Sequence, residues 1–371
     1  MKRKMISLFC VICVVMTMLV GCSGVGAESG VTIDDEDVAT GSVSYADMRI
    51  GISIYQLSDN FMSLFSQELI NYLLSYGFSK NNIIVYGSAN NEKIQLSQIQ
   101  ELIDKEVDAL IVNPVNSDIA ESITDTAKAG GIPVVYINRE PDADEENRWE
   151  DFDIDACYVG CDARQSGIYQ GELLLDIGED ILDINGDGRI QYYMIEGASE
   201  NIDAAYRTMF SLSTLEGGGF EMECLLDECG NWNQATAELI VQNGLSQGLI
   251  PEFILCNNDA MALGAVSAVS KAGLNPGEDV YVVGVDALSD ALELIIDGKM
   301  AGTVFNDFIT QARSAADAAL NYIEGESVEH YIGCDYIKVD RTNAETILSM
   351  ISNLRTTTSV EYFSSDDEGE D

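Results

Sequence analysis

From Met48 onward, short β-rich apolar runs alternate with segments whose apolar residues recur at helical spacing. The pattern predicts a strand over Arg49–Tyr55, a helix over Asn60–Tyr76, a strand over Asn82–Tyr86, a helix over Lys93–Lys105 and a strand over Ala109–Asn113. A helix over Asp118–Ala129 and a strand over Ile132–Asn138 complete this first set. Such alternation builds a parallel sheet flanked by helices. The pattern restarts with a strand over Ala156–Gly160, a helix over Arg164–Ile177, a strand over Ile190–Ile195, a helix over Asp203–Leu215 and a strand over Phe220–Leu226. It continues through a helix over Asn233–Gln247, a strand over Phe253–Asn257, a helix over Ala260–Lys271, a strand over Val280–Val285 and a helix over Ser289–Asp297. A strand over Gly302–Phe305, a long helix over Thr310–Ile323, a strand over Tyr331–Val339 and a short helix over Ala344–Leu354 end the series. The expected fold class is α/β, with two doubly wound parallel-sheet domains.

The segments flanking this body follow a different grammar. Lys2, Arg3 and Lys4 precede an apolar run from Met5 to Val20, and Leu19-Val20-Gly21-Cys22 matches a lipoprotein processing site. The run is shorter than the ~20 residues that comfortably span a bilayer. Residues 1–21 are therefore expected to be a signal peptide, with Cys22 lipidated at the outer face of the cell membrane. Residues 22–47 are rich in Ser, Gly, Ala and acids and read as a flexible acidic tether, and 356–371 read as an acidic disordered tail.

Charge and composition narrow the function. Among 371 residues, 63 are Asp or Glu and 19 are Lys or Arg, a formal net charge of −44 that argues against a nucleic-acid partner. The single histidine, His330, leaves a hydrolase triad or a zinc site without its usual ligands and bases. Beyond Cys22, the cysteines are Cys157, Cys161, Cys224, Cys229, Cys256 and Cys334. Several sit in apolar strands and are expected to be free, with Cys224–Cys229 the one pairing kept open.

In doubly wound sheets, ligands bind beyond the carboxyl ends of the strands. Those positions here are dominated by Asp and Asn: Asp59-Asn60, Asn113, Asn257-Asn258-Asp259, Asp286 and Asn306-Asp307. Any one of them suits a helix cap equally well. As a set facing a cleft, they offer the donors and acceptors that the hydroxyls of a neutral polyol require.

These residues resemble the galactose/glucose-binding branch of the type I periplasmic binding proteins, the solute-binding components of ABC sugar importers. The resemblance runs from about Arg49 to Asn353. It rests on Arg49-Ile50-Gly51-Ile52-Ser53-Ile54-Tyr55 with Asp59-Asn60-Phe61-Met62-Ser63, on Asn257-Asn258-Asp259-Ala260-Met261, on Gly284-Val285-Asp286-Ala287-Leu288, and on Ala301-Gly302-Thr303-Val304-Phe305-Asn306-Asp307. It implies two lobes joined by a hinge, an N-terminal lobe of 48–138 plus 307–332 and a C-terminal lobe of 139–306 plus 333–355. It also implies that Asp59, Asn113, Asp203, Arg207, Asn258, Asp286 and Asn306 hydrogen-bond the sugar, with Phe61 and Trp232 sandwiching the pyranose. Where the family pattern has a histidine, this sequence has Asn201, whose shorter amide can still donate to a hydroxyl.

A second motif, Asp183-Ile184-Asn185-Gly186-Asp187-Gly188-Arg189-Ile190-Gln191, carries the oxygen spacing of a calcium loop. Position twelve is Met194, so the usual bidentate glutamate is missing locally. The family resemblance supplies a distant one, and Glu252 stands at the matching place. The expected structural Ca2+ site is then Asp183, Asn185, Asp187, the Arg189 carbonyl, Gln191 and Glu252.

The resulting expectation is a monomeric, lipid-anchored binding protein and not an enzyme. It takes an aldohexose, D-galactose or D-glucose, and hands it to an ABC permease, with a chemoreceptor as a further partner. Two alternatives compete: a sugar sensor that presents its closed state to a receptor, and a carbohydrate-active enzyme using paired carboxylates. The setting of the candidate acids beside Arg207 and helix starts favours ionisation, which disfavours an acid catalyst.

Overall fold

The computed structural model describes residues 44–355 of the chain. The expected signal peptide, Cys22, most of the tether and the acidic tail lie outside the described residues. Strands β1 (Ile50–Ile54), β2 (Ile83–Gly87), β3 (Ala109–Asn113), β4 (Val134–Ile137), β5 (Ala156–Cys161) and β11 (Tyr331–Cys334) form a six-stranded sheet in the order β11-β5-β4-β3-β1-β2. Every pairing in it is parallel. The strands β1, β3, β4 and β5 are buried along their whole length, as a sheet covered by helices on both faces requires. Helices α1 (Asn60–Ser75), α2 (Glu92–Asp104), α3 (Ala120–Gly130), α4 (Ala143–Asp151) and α11 (Phe308–Glu324) belong to this first lobe, with α11 packed on β3, β4 and β5.

The second lobe is built on a parallel sheet ordered β7-β6-β8-β9, from β6 (Ile190–Glu196), β7 (Met222–Cys229), β8 (Phe253–Cys256) and β9 (Tyr281–Val283). A parallel bridge from Val283 to Gly302 leads on to β10 (Thr303–Phe305), which pairs antiparallel with β12 (Ile337–Val339). Its helices are α5 (Ala163–Ile177), the single turn α6 (Glu179–Leu182), α7 (Ile202–Gly217), α8 (Gln234–Ser246), α9 (Asp259–Lys271), α10 (Ser289–Ile296) and α12 (Ala344–Arg355). Helices α5 and α7 cross closely because Gly167 and Gly171 face α7. A Cβ on Gly167 would stand 2.9 Å from the Arg207 carbonyl oxygen, and one on Gly171 would stand 2.8 Å from that of Ser211. That contact seats Arg207.

The chain passes between the sheets three times: between β5 and α5, between β10 and α11, and between β11 and β12. Two sequence expectations are corrected here. The strand over 156–161 pairs with β4 and stays in the first sheet, so the first crossing lies near Asp162 and not after Asn138. The run Tyr331–Val339, expected as one strand, is two strands in different sheets, with Asp335-Tyr336 crossing between them, so the third crossing follows Cys334. The helix α4 was not anticipated: its sequence is strongly acidic, and its buried residues are only Glu145 and Trp149.

All six cysteines among the described residues are free. Cys224 and Cys229 stand five residues apart on β7, a separation of about 16 Å that no disulfide spans. Burial pushes the Cys157 thiol up to about 12 and raises Cys161 and Cys256 as well, which suits packing and not reactivity.

Candidate sugar-binding cleft

The carboxyl ends of both sheets face one cavity with about 370 Å³ of atom-free space, part of it open to solvent. Nine of the ten expected sugar-binding residues line it: Asp59, Phe61, Asn201, Asp203, Arg207, Trp232, Asn258, Asp286 and Asn306. Phe61 comes from the first lobe and Trp232 from the second.

The capping and binding readings of the Asp and Asn side chains prove compatible, because each head group has two polar atoms. Asp59 caps α1 with Oδ1, accepting from the Met62 N–H at 2.8 Å, while Oδ2 accepts from the Tyr55 hydroxyl at 2.8 Å. Asn258 caps α9 through Oδ1 to the Met261 N–H at 3.0 Å, and Asn201 caps α7 through Oδ1 to the Asp203 N–H at 2.8 Å. In both, the amide nitrogen remains as a donor on a residue lining the cavity.

Asn113 does not line the cavity. It is fully buried one layer behind, where Oδ1 accepts from the Tyr55 N–H at 3.4 Å and Nδ2 donates to the Ile137 carbonyl and to Asn138 Oδ1, each at 3.2 Å. It ties together the ends of β1, β3 and β4. Its partners Tyr55 and Asn138 do line the cavity.

Arg207 is fixed by two of its nitrogens. Nη1 donates to the Asn257 carbonyl at 2.7 Å and Nη2 to the Tyr336 hydroxyl at 3.2 Å. Its Nε is buried without a partner, as is Nε1 of Trp232, whose ring lies 5.8 Å from the Arg207 guanidinium carbon. Two buried donors without acceptors on residues that line one cavity mark a place for ligand oxygens. Trp232 sits in left-handed backbone at φ 61°, after Asn231 at φ 52°, and its ring lies flat on Gly197, where a Cβ would stand 2.1 Å from it. Such strain in a non-glycine residue is characteristic of binding loops.

The expectation that Arg207 and the helix starts keep the cleft acids ionised is corrected here, because burial outweighs them at Asp286 and Asp203. Burial raises the Asp286 carboxyl to about 7, with the Arg207 charge lowering it and the Asp59 charge across the cleft raising it. Asp203 is also raised by burial, against the opposing pull of Arg207 and Arg139. Asp286 Oδ1 accepts from Asn306 Nδ2 at 3.4 Å, and Gln311 Nε2 fixes the other end of that amide at 2.7 Å.

Sequence reasoning missed Arg139, Tyr55, Asn138 and Met62, which also line the cavity. The Arg139 guanidinium stacks 3.7 Å over the Tyr55 ring, and its Nη1 donates to the Val115 carbonyl. The rule that exposed Asp59 and Asp286 applies to Arg139 too, since it follows β4, but attention to Asp and Asn alone passes over it.

In the expected calcium loop, Glu252 does reach the motif. Its Oε1 accepts from the Asn185 N–H at 3.0 Å and its Oε2 from the Gln191 N–H at 2.9 Å. Asp183 accepts from the Asp187 and Gly188 N–H groups, Asp187 accepts from the Arg189 N–H and Gln191 Nε2, and Asn185 Nδ2 donates to Gln191 Oε1 at 2.6 Å. Gly186 turns the loop at φ 72°. The loop and Glu252 thus offer three carboxylates and two side-chain amides, oxygen ligands of the type a hard cation takes. Among the described residues, no group of three or more His, Cys, Asp or Glu side chains stands where it could hold a metal ion.

Comparison with known proteins agrees with this geometry. The family model described as periplasmic binding protein domain matches residues 50–327. The chain is 35% identical over 322 residues to the D-galactose/methyl-galactoside binding periplasmic protein of Haemophilus influenzae, covering 82% of this chain and 94% of that one. It is 30% identical over 302 residues to a putative rhizopine-binding protein of Rhizobium meliloti, covering 79% of this chain and 90% of the other. A solved ABC transporter solute-binding protein of Bacillus halodurans with bound myo-inositol superposes with a TM-score of 0.71 at 27% identity, covering 84% of this chain and 99% of that one. With three quarters of its length matched and its strand ends converging on one polar, aromatic-walled cleft, the chain belongs to the type I periplasmic binding protein family.

Proposed function

We propose that this chain is an extracytoplasmic, lipid-anchored solute-binding protein that closes on an aldohexose, D-galactose or D-glucose, and presents it to an ABC permease. The observation that carries the reading is the cleft itself. Phe61 and Trp232 supply apolar faces from opposite lobes, and Asp59, Asp203, Asp286, Asn258 and Asn306 supply hydroxyl partners between them. The unpartnered Arg207 Nε and Trp232 Nε1 add two donors. The galactoside-binding relative points to the same ligand class. No bond-making step is needed, and the protein is read as a non-enzyme. Cys22 is the proposed lipid attachment, and Asp183, Asn185, Asp187, Gln191 and Glu252, with the Arg189 carbonyl, are the proposed ligands of a structural Ca2+.

Calorimetry against a panel of hexoses, pentoses and cyclic polyols tests the reading. One-to-one binding of galactose or glucose, tighter than of any pentose, is expected. The second reading is a cyclic polyol, favoured by the bound myo-inositol of the Bacillus halodurans relative. Tighter binding of inositol than of either hexose would select it.

A further inference from the structure

Two cysteines meet where the lobes join. Cys161 is the last residue of β5 and Cys334 the last of β11, and the two are register partners on neighbouring parallel strands. Each strand leaves the first sheet directly after its cysteine, at Asp162 toward α5 and at Asp335-Tyr336 toward β12. Register partners on adjacent strands present their side chains on the same face, with their Cα atoms about 4.8 Å apart. A disulfide requires about 4.4–6.8 Å, so the backbone places this pair within bonding reach, which β7 denies to Cys224 and Cys229.

The pair also straddles the boundary between the lobes. Cys161 is buried in the second-lobe core with Leu173, Val304 and Tyr336, whereas Cys334 packs against that core and against the one that holds the first-lobe strands. Tyr336 carries the connection on to the cleft, since its hydroxyl accepts from Arg207 Nη2 at 3.2 Å. Asp307, at the third crossing, lies close enough for its charge to act on both thiols, so all three connections between the lobes pass one point. Both thiols are free, and Cys334 is only partly buried, which makes it the one open to a reagent. Burial and then the Asp307 charge raise its thiol to about 11, a milder shift than that of Cys161, which burial and then the neighbouring Cys334 raise.

We propose that Cys161 and Cys334 form a reversible dithiol–disulfide pair whose oxidation ties the lobes together at the hinge and restrains their opening. The oxidant is a low-molecular-weight disulfide. The Cys334 thiolate attacks one of its sulfurs, breaking that S–S bond and releasing one small thiol. Cys161 then attacks Sγ of Cys334 in the mixed disulfide, forming the protein S–S bond and releasing the second small thiol. Two protein thiols are oxidised, one external disulfide is reduced, and the two protons pass from the protein sulfurs to the released ones.

The full chain, without sugar, is incubated with oxidised glutathione and its disulfides are mapped by mass spectrometry. The expected product is a Cys161–Cys334 cross-link that dithiothreitol reverses; glutathione on the exposed Cys224 or Cys229 is told apart by the mapping. The cross-link raises the melting temperature by several degrees, since it closes a long loop. It also slows amide hydrogen exchange at Asp162 and Ala163 and at Asp335 and Tyr336 by at least about twofold. Cys334→Ala, at a partly buried position, abolishes both responses, and Cys161→Ala does the same. Glutathione carried by Cys334 beside a Cys161 that stays a free thiol overturns the pairing. A mapped cross-link that leaves hydrogen exchange at both crossings unchanged overturns the hinge role.

Discussion

Thr303 Oγ1 donates to Asp259 Oδ1 at 2.7 Å, and the Leu288 N–H donates to Oδ2 of the same carboxyl at 2.8 Å. One fully buried acid at the start of α9 thus ties β10 to the loop that carries Asp286. That loop needs the tie. Asp286 lies at φ 116° and Ala287 at φ 55°, conformations that non-glycine residues adopt only when their surroundings impose them. Burial, reinforced by the Asp286 charge, drives the Asp259 carboxyl well above the usual carboxylate range.

Asp259→Ala leaves the Leu288 N–H and the Thr303 hydroxyl without their partner, at about 1–3 kcal/mol for each buried unpaired group. The expected result is a clear drop in melting temperature together with weaker hexose binding as the Asp286 loop relaxes. Unchanged melting and unchanged affinity would mean that the loop is held by something else.

Asp286 links pH to both stability and binding, with opposite signs. Its folded pKa of about 7 lies above the ordinary value of 3.8, so the folded state holds the extra proton between those limits. The stability it allows is present in full below about pH 4 and is lost as pH rises through about 7. Asp286→Asn removes the buried charge, so the sugar-free variant should melt higher than wild type at pH 8, with a smaller gain at pH 5. Sugar binding requires the carboxylate as acceptor, so wild-type affinity should fall as pH drops from 8 to 5. A pH-independent affinity would remove Asp286 from hydroxyl recognition.

The β-strand ends were legible in the sequence because fully buried parallel strands such as Ala109–Asn113 are short apolar runs closed by a polar residue. The sheet to which a strand belongs was not, because pairing partners are set by tertiary contacts. Ala156–Cys161 follows a long acidic segment and looks like a new start, yet it pairs with Val134–Ile137. Tyr331–Val339 keeps its alternation through the residues where it changes sheets. Within the site, residue type was legible and depth was not: Asn113 and Asn306 read alike, and only packing puts one behind the cavity and the other on its wall.

The loop around Asp187 should respond to calcium independently of sugar. Asp183, Asp187 and Glu252 carry negative charge that a divalent cation would draw together and neutralise, and Glu252 links the loop to the start of β8. Free Ca2+ a hundredfold above its dissociation constant adds ~2.7 kcal/mol to folding stability. Chelation should lower the melting temperature, and Glu252→Gln should reproduce most of that loss while hexose affinity in saturating calcium stays near wild type. Identical melting curves in chelator and in millimolar calcium would rule the ion out.

Trp232, which lines the cavity, packs against Gly197 and offers an optical test of ligand binding. A methyl group at Gly197 would overlap the six-membered part of the indole, with Cβ 2.1 Å from one ring carbon and 2.2 Å from the next. Gly197→Ala must therefore displace the Trp232 ring or the Gly197 backbone, disturbing a ring that lines the cavity. Hexose affinity should fall by at least about tenfold, since ~1.4 kcal/mol of lost stacking and donor geometry suffices for that change. The chain has two tryptophans, and Trp149 is fully buried in the first lobe, stacked on Tyr136 at 5.4 Å and absent from the cavity lining. Sugar binding should therefore change the emission of Trp232 alone. Trp149→Phe should keep the ligand-dependent signal, while Trp232→Phe should abolish it but retain weakened binding by calorimetry. A signal that survives in Trp232→Phe, or full affinity in Gly197→Ala, would place the sugar away from this ring.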